Sequence, residues 1–430
     1  MDPKEKPLKK PNLTVDSLDD DDSSSSSSDS SDDFNALADK FSNNTGAHSV
    51  AGAEGFEDEH KQEKEEINKK YDCFPLIVEG PEFLQDHSFF LMHKNDDIAS
   101  LERGILVDEF DKEKDERAMD MEFRILNRIC HTMVHFQGLH REHNQDFKAQ
   151  NRYNDVLPYK HNLVEVKDES GANMYVNGSY INVPIRNLGE KAFIAASAPV
   201  EKSLNKFWEM IYQNRVKLII MLWNLQEKNV VWEKYWDDEA EYGNIKVKQI
   251  NSTEFGEKLI KRQFEVRYNN EDEFYIVTQI HHTNWVDDNA PFSEENGDID
   301  LLLKTTLEHR KPNKDDETNA NKNDPILVHC SAGIGRTGTF IALHWMIEVL
   351  EAIKSKIYNP IWAQLRDSEN TKSLMAEVAQ RFHDFEKERF SVFSTVRKLK
   401  EQRFGMVKTQ KQYEFLYAYM ENYIKKANLS

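Results

Sequence analysis

Residues 326–340 constrain the fold of this chain more than any other segment. They read ILVHCSAGIGRTGTF: an apolar run that ends before Cys330, a loop with glycines, and a second apolar-faced run from Arg336. This pattern predicts a buried strand, a tight loop and a helix. In such an arrangement consecutive backbone N–H groups point at one spot in front of a helix N-terminus, so the segment is predicted to form an anion site.

The side chains of this segment have the chemistry of a nucleophilic phosphate site. A field that favours anions also stabilises a thiolate, so Cys330 is expected to be a nucleophile near neutral pH. Arg336 offers a planar, two-pronged donor for phosphate oxygens. Gly333 and Gly335 let the backbone approach the ligand, and the Thr337 hydroxyl can donate to the sulfur. The plain alternative, a buried cysteine in an ordinary strand-turn-helix, is disfavoured by the complete string.

Charge and cysteine content exclude several other classes of protein. The formal net charge of -20 argues against binding to nucleic acid and against docking on anionic lipid. The cysteines Cys73, Cys130 and Cys330 are too few and too scattered for a disulfide framework or a metal site, and they fit a reducing compartment. No run approaches the roughly 20 apolar residues of a membrane span. The expectation is therefore a cytoplasmic protein, with the nucleus also open.

Three segments of the chain differ in composition. Residues 1–66 include a block of serines and aspartates at 16–33, so we expect a disordered acidic tail. Residues 67–118 carry short apolar groups and are expected to be an extension packed on the following domain. Residues 119–430 alternate between strand and helix patterns, which predicts a single α/β domain with a twisted mixed sheet flanked by helices. A charged stretch at about 351–389 is interpreted as an insertion in it.

Hydrophobic periodicity predicts the order of the elements in that domain. A first helix is expected around residues 123–130. Further helices are expected at 204–214, 337–350, 351–389 and 413–424, and strands at 175–183, 193–196, 216–222, 264–268, 274–280 and 326–329.

Several separated segments resemble the protein tyrosine phosphatase family, in the family's order. Besides the cysteine loop, QNRYNDVLPY at 150–159 is similar to the family's phosphotyrosine loop, and HHTNWVDDNAP at 281–291 to its mobile acid loop. The other matching segments are SYINVPI at 179–185, FWEMIYQNRVKLIIML at 207–222, QEKNVVWEKYW at 226–236 and VRKLKEQRFGMVKTQKQYEFLY at 396–417. The chain is thereby identified as a cysteine-dependent, tyrosine-specific member of the non-receptor type.

The resemblance implies a mechanism for the matching residues. Cys330 attacks phosphorus and forms a phosphocysteine while Asp287 protonates the tyrosine oxygen, and Asp287 then activates the hydrolytic water. Arg336 and the loop amides stabilise the phosphate oxygens. The loop residues implied to bind substrate are Ser331, Ala332, Gly333, Ile334 and Gly335.

The resemblance also implies roles around this centre, each with a plainer structural alternative. Tyr153 would stack on the substrate ring and make the pocket too deep for phosphoserine, or it is a core tyrosine. Asp155 would hold backbone N–H groups of the peptide, or it is a turn aspartate. Glu227 would pair with the phosphate-binding arginine and Trp285 would anchor the acid loop. His329 would hydrogen-bond near the cysteine, or it is a satisfied strand-end histidine.

Three positions depart from the family pattern. Lys408 stands where the family has the glutamine that positions hydrolytic water, and the second glutamine of that loop is present as Gln412. A cation beside phosphocysteine would slow its hydrolysis; alternatively Lys408 points to solvent and Gln412 positions the water. Val286 replaces a proline of the acid loop, and Trp232 stands near the position of a lysine that helps to hold that loop closed.

The leading expectation is a monomeric enzyme that hydrolyses phosphotyrosine in partner proteins without metal or cofactor. A pseudophosphatase that binds phosphotyrosine peptides without turnover is the alternative; Lys408 favours it, whereas Cys330, Arg336 and Asp287 argue against it. A phosphoinositide phosphatase is a third possibility, but such enzymes tend to carry lysines in the loop, and residues 331–335 are neutral.

Deletion of residues 1–66 is expected to leave folding and peptide turnover nearly unchanged, because that stretch offers no apolar core. Thermal unfolding and turnover of the truncated and full chains check this. A large loss of thermal stability on deletion would contradict the tail interpretation.

Overall fold

The computed structural model describes residues 101, 104–106, 110, 114, 118–136, 145–183, 191–223, 225, 233–269, 272–291, 297–310, 324–367 and 389–428. All of them belong to the compact unit His60–Ser430. The expected tail at 1–66, Glu227, Trp232 and residues 368–388 of the expected insertion lie outside the described residues.

An eight-stranded mixed sheet forms the centre of this unit. The strands of the described residues, in chain order, are β1 (Ile105–Leu106), β2 (Gly178–Ile181), β3 (Phe193–Ala196), β4 (Leu218–Leu222), β5 (Glu239–Tyr242), β6 (Ile245–Glu254), β7 (Leu259–Tyr268), β8 (Phe274–His282), β9 (Ile326–His329) and β10 (Arg389–Phe390). Strands β1 and β10 form a separate two-stranded sheet, and β2 to β9 form the central one. The order across the sheet is β2-β3-β9-β4-β8-β7-β6-β5. Strands β3, β9, β4 and β8 run parallel, while antiparallel pairs complete both sides.

Helices cover both faces of the parallel strands. They are α1 (Met119–Phe136), α2 (Leu204–Gln213), α3 (Gly297–His309), α4 (Gly335–Asp367), α5 (Val392–Gln402) and α6 (Gln410–Asn428). Because successive side chains of a strand point to opposite faces, Ile219 and Met221 join the apolar cluster that contains α2. Ile220 and Leu222 join the other cluster, which contains residues of the remaining helices. Burial on both faces explains why β4 and β9 read as continuous apolar runs.

The structure confirms the predicted α/β domain with a mixed sheet and flanking helices. The strands predicted at 193–196 and 326–329 coincide with β3 and β9. Periodicity missed β5 and β6, because most of their side chains are exposed and polar, and it missed α3 and α5. The prediction that a separate helix begins at residue 351 is wrong, since α4 continues unbroken from Gly335 to Asp367.

The described residues before α1 pack against the C-terminal part of the domain. Strand β1 pairs antiparallel with β10, and Ser391 Oγ donates to the Leu101 carbonyl at 2.6 Å. The buried ring of Phe110 stacks on Phe390, with centroids 4.9 Å apart, and on Tyr417 at 6.0 Å. These residues therefore share the main core with α6. Among the described residues, no helix is both long and apolar enough to cross a membrane.

The change Phe110→Ala is expected to lower the free energy of unfolding by about 3–5 kcal/mol, because it leaves a cavity between two aromatic rings. Denaturant unfolding of the full chain measures the loss. Phe274→Ala is the matched control, since that ring is 53% exposed and its removal should change stability by less than about 0.5 kcal/mol. Equal effects of the two changes would show that the segment around Phe110 is not part of the core.

Candidate active site

The cysteine loop, residues 330–336, connects β9 to α4. Cys330 follows the last residue of β9 and is 1% exposed. The Gly333 N–H donates to its sulfur at 3.2 Å, so the loop curls around Sγ. Gly333 has φ +72°, and a Cβ there would lie 2.1 Å from the Ala196 carbonyl oxygen. Only glycine fits this position, both for its backbone conformation and for its close approach to β3.

The guanidinium of Arg336 joins the cysteine loop to the acid loop, residues 285–290. Its Nη1 donates to the Trp285 carbonyl at 2.8 Å. Its Nη2 donates to Ser331 Oγ at 3.0 Å and lies 3.0 Å from Asp287 Oδ1. Arg336 is fully buried, while the Asp287 side chain is 39% exposed. The structure thus brings Asp287 of the acid loop to Arg336 of the cysteine loop, two segments that are far apart in the sequence.

A hydrogen bond from Trp285 stabilises the turn of the acid loop. Trp285 is fully buried and its indole N–H donates to the Asn289 carbonyl at 2.9 Å. Asn289 Nδ2 in turn donates to the Asp287 carbonyl at 3.2 Å. Val286, at the position of the family's proline, is half-buried. Hydrogen bonds therefore hold the turn that a proline would otherwise restrict.

Gln412 lies against the cysteine loop. Its Oε1 accepts from the backbone N–H of Lys408 at 3.0 Å and of Thr409 at 3.3 Å. A Cβ on Gly335 would lie 3.0 Å from Gln412 Nε2. This buried Nε2 has no hydrogen-bond partner in the described part of the chain, so it is available to a ligand at the loop. The buried Thr337 hydroxyl has none among those residues either, so the predicted bond to the Cys330 sulfur is absent here.

Lys408 is directed to the acid loop. Its Nζ donates to Asp288 Oδ2 at 2.9 Å, and the two side chains are about half exposed. Burial lowers the pKa of Lys408, but the hydrogen bond and charge of Asp288, with smaller effects of Asp287 and Tyr153, outweigh it and raise the pKa. The described contacts of the ammonium are therefore with the acid loop.

The other predicted residues lie around this centre. Tyr153 and Asp155 follow the 3-10 helix Gln145–Gln150; Tyr153 is half-buried and close enough to influence Lys408, and Asp155 is exposed. Ala332 and Ile334 complete the turn of the cysteine loop, where the Ala332 carbonyl accepts from Ser197 Oγ at 2.8 Å. Glu227 lies outside the described residues, so its pairing stays a prediction.

This chain is similar to a known protein family and to solved structures. A family model described as protein-tyrosine phosphatase matches residues 147–373 and 370–422, which is more than half of the chain. The chain belongs to the protein-tyrosine phosphatase family. The matched ranges include residues 150–159, 281–291, 330–336 and 396–417, where the sequence resembles the family.

Similar phosphatases by sequence have receptor-type names. Receptor-type tyrosine-protein phosphatase alpha of Homo sapiens is 30% identical over 291 residues, which are 65% of this chain and 30% of that protein. Receptor-type tyrosine-protein phosphatase eta of Gallus gallus is 35% identical over 211 residues, 47% of this chain and 14% of that protein. The chain therefore spans less than a third of the length of these curated relatives.

Similar solved structures come from a non-receptor phosphatase. The catalytic domain of human protein tyrosine phosphatase non-receptor type 18 is 22% identical, with a TM-score of 0.56, over 74% of this chain and 100% of that chain. The same phosphatase with HER2 phosphopeptides gives 21% identity and a TM-score of 0.58, over 74% and 99%. At this identity the likeness shows the phosphatase fold. The expected non-receptor type agrees with this name and differs from the receptor-type names of the sequence relatives.

A buried hydrogen-bond chain next to Cys330 determines the tautomer of His329. Gln279 Nε2 donates to Tyr235 OH at 2.6 Å, and that hydroxyl lies 2.8 Å from His329 Nε2. His329 Nδ1 lies 3.2 Å from the Cys330 carbonyl, which can only accept, so Nδ1 carries the proton and Nε2 of the neutral ring accepts from the Tyr235 hydroxyl. Burial lowers the pKa of His329 to about 3. The sequence had pointed to His329 but not to Tyr235 or Gln279.

This histidine also makes the stability of the phosphatase domain depend on pH. Folding lowers the pKa of His329 from 6.5 to about 3, so the unfolded chain binds more protons between these values. Above about pH 6.5 the ring is neutral in both states, so burying it carries no cost in proton binding. As the pH falls toward 3, protonation of the ring in the unfolded chain lowers the free energy of unfolding.

Arg403 is a third residue of the site that sequence reasoning missed. It is fully buried and donates from Nε to the Gly333 carbonyl at 2.8 Å. Its Nη2 donates to Asn177 Oδ1 at 2.8 Å and to the Ala332 carbonyl at 3.2 Å. Burial lowers its pKa to about 10. Arg403 lies within the segment at 396–417 that resembles the family, but its position in the sequence does not reveal that it holds the cysteine loop.

The change Arg403→Met is expected to lower the free energy of unfolding by about 3 kcal/mol, because it leaves several buried acceptors without a donor. Urea denaturation of the full chain measures it. Arg124→Met is the control, since the Arg124 side chain is 69% exposed and bonded only locally to Asp120. If both variants unfold at the same urea concentration as the unchanged chain, Arg403 is not needed to hold the loop.

Proposed function

We propose that this chain hydrolyses phosphotyrosine in proteins through a phosphocysteine intermediate. The observation that carries the proposal is the position of Asp287 Oδ1, 3.0 Å from Arg336 Nη2, in front of a loop whose Gly333 N–H is 3.2 Å from the Cys330 sulfur. A nucleophile, a phosphate-binding guanidinium and an acid therefore face one space. Family membership supports the same chemistry.

In the first step the Cys330 sulfur attacks phosphorus opposite the tyrosine oxygen. The S–P bond forms while the P–O bond to tyrosine breaks, and the leaving oxygen takes the proton of Asp287. The loop N–H groups and Arg336 stabilise the equatorial oxygens throughout. Because the guanidinium already contacts both Ser331 and Asp287, it is oriented before substrate arrives.

In the second step water attacks the phosphocysteine. Asp287, now a carboxylate, accepts a proton from the water, the P–O bond forms, and the electrons of the S–P bond return to the sulfur. The Gln412 Nε2 beside Gly335 is the group we assign to this water, because it is buried and has no partner among the described residues. Inorganic phosphate then leaves.

The proposed substrates are phosphotyrosine-containing proteins. Tyr153 forms the aromatic wall of the pocket and Asp155 binds the backbone of the peptide, both by resemblance to the phosphatase family. The buried cysteines Cys130 and Cys330 form no disulfide, and reduced thiols are typical of a reducing compartment, so the proposal includes a cytoplasmic location. The proposed oligomeric state is a monomer. Residues 1–66 are proposed as a disordered acidic tail and 119–430 as the catalytic domain.

The change Cys330→Ser is expected to abolish turnover of a phosphotyrosine peptide while leaving its binding measurable, because the amides and Arg336 remain. A steady-state assay with a rapid-quench burst, and a binding titration with the same peptide, measure both properties. Cys130→Ser is the matched control: it changes a second buried thiol that forms no disulfide, in α1, and should retain turnover.

Each outcome separates the candidate functions. Turnover by Cys330→Ser at the rate of the unchanged chain would exclude the phosphocysteine. Binding without any turnover by the unchanged chain would instead support the pseudophosphatase alternative.

A further inference from the structure

Three polar contacts join the acid loop to residues 408–411, which form the turn before α6 and the first residues of that helix. Lys408 Nζ lies 2.9 Å from Asp288 Oδ2 and 2.9 Å from Oδ1. Thr409 Oγ1 donates to the Asp288 carbonyl at 3.0 Å, and Lys411 Nζ donates to Asn289 Oδ1 at 3.2 Å. All three contacts fall on the two residues that follow the proposed acid. They fix the C-terminal half of the acid loop to the domain.

The backbone at Asp288 explains how the loop reaches two cations. Asp288 has φ +57°, the left-handed region that aspartate enters more readily than most residues. The chain turns at Asp288, so the two neighbouring carboxylates form ion pairs with different residues. Asp287 pairs with Arg336, and Asp288 pairs with Lys408. The Asp287–Arg336 contact places the proposed acid at the proposed phosphate site. The Asp288–Lys408 contact holds the acid loop against the turn before α6.

We propose that Lys408, through Asp288, holds the acid loop in the position that brings Asp287 to Arg336. The inference rests on the proposed function and deepens it. Lys408 is then a positioning residue for the proton donor, and the task of the family's water-binding glutamine belongs to Gln412. Both oxygens of Asp288 face the ammonium, whereas Gln412 Nε2 lies against the cysteine loop.

The size of the effect follows from exposure. The side chains of Lys408 and Asp288 are 46% and 50% exposed, so solvent weakens their attraction. Exposed ion pairs change an equilibrium by no more than about fivefold. The pair should therefore bias the loop toward closure without locking it, which leaves substrate free to enter. Its contribution should shrink at high salt.

The experiment uses Lys408→Met, Asp288→Asn and the double variant in the full chain. kcat/KM reports the first chemical step, and it is measured on a phosphotyrosine peptide and on p-nitrophenyl phosphate, whose leaving group needs no proton. Each single change is expected to lower kcat/KM on the peptide about twofold to fivefold, with a smaller loss on p-nitrophenyl phosphate. The double variant should be no slower than the singles, because they remove one interaction. Lys408→Arg should retain most of the rate.

Two controls keep the test specific. Lys426→Met removes an ion pair in α6, in which the lysine is more exposed than Lys408 and lies 3.4 Å from Asp300; it should change kcat/KM on neither substrate. Hydrogen exchange of the amides of residues 285–290 needs no turnover, and it should be faster in Lys408→Met and Asp288→Asn. An unchanged chain without turnover would contradict the proposed function, and the exchange data would still decide the loop contact.

Three results would overturn the inference. The first is an unchanged exchange rate in both variants. The second is an equal loss of kcat/KM on the two substrates. The third is a faster steady state with a smaller burst in Lys408→Met, which would place the ammonium beside the phosphocysteine instead.

Discussion

The buried guanidinium of Arg336 is the interaction on which the rest of the site depends. A charge without access to water is tolerated only where hydrogen bonds and an opposite charge surround it. Arg336 obtains them from Ser331 in its own loop and from Trp285 and Asp287 in the acid loop. The fold makes this meeting possible because β8 and β9 are parallel to the intervening β4, so the segments that follow them emerge at the same edge of the sheet.

The remaining contacts keep the cysteine loop in one geometry. From behind, Tyr235 and Gln279 hold neutral His329 against the Cys330 carbonyl. From the side, Arg403 binds the Gly333 and Ala332 carbonyls. These acceptors belong to the loop whose N–H groups must face the ligand. Pairing of these carbonyls within the protein fixes the backbone of the loop, and preorganised N–H groups are what the proposed phosphate site requires.

Sequence reasoning succeeded where structure is set by neighbours along the chain. The strand, loop and helix at 326–340 and the strand β3 follow from local apolar patterns and glycines. It failed for β5 and β6, whose exposed side chains show little periodicity, and for contacts between distant segments. Lys408 and Asp288 are 120 residues apart, and the residue type alone does not say where a long, flexible side chain points. Arg403 was missed for the same reason: its partners come from three other segments.

The packing of Phe110 on Tyr417 shows that the folded core extends beyond the segment that matches the family. The match to the family begins at residue 147, yet Ile105, Phe110 and the apolar face of α1 lie in the same core as the helices behind the cysteine loop. Helix α6 carries both Gln412 and Tyr417. Domain limits drawn from homology alone would thus cut through a shared core, and the material removed would be part of what supports the helix beside the nucleophile.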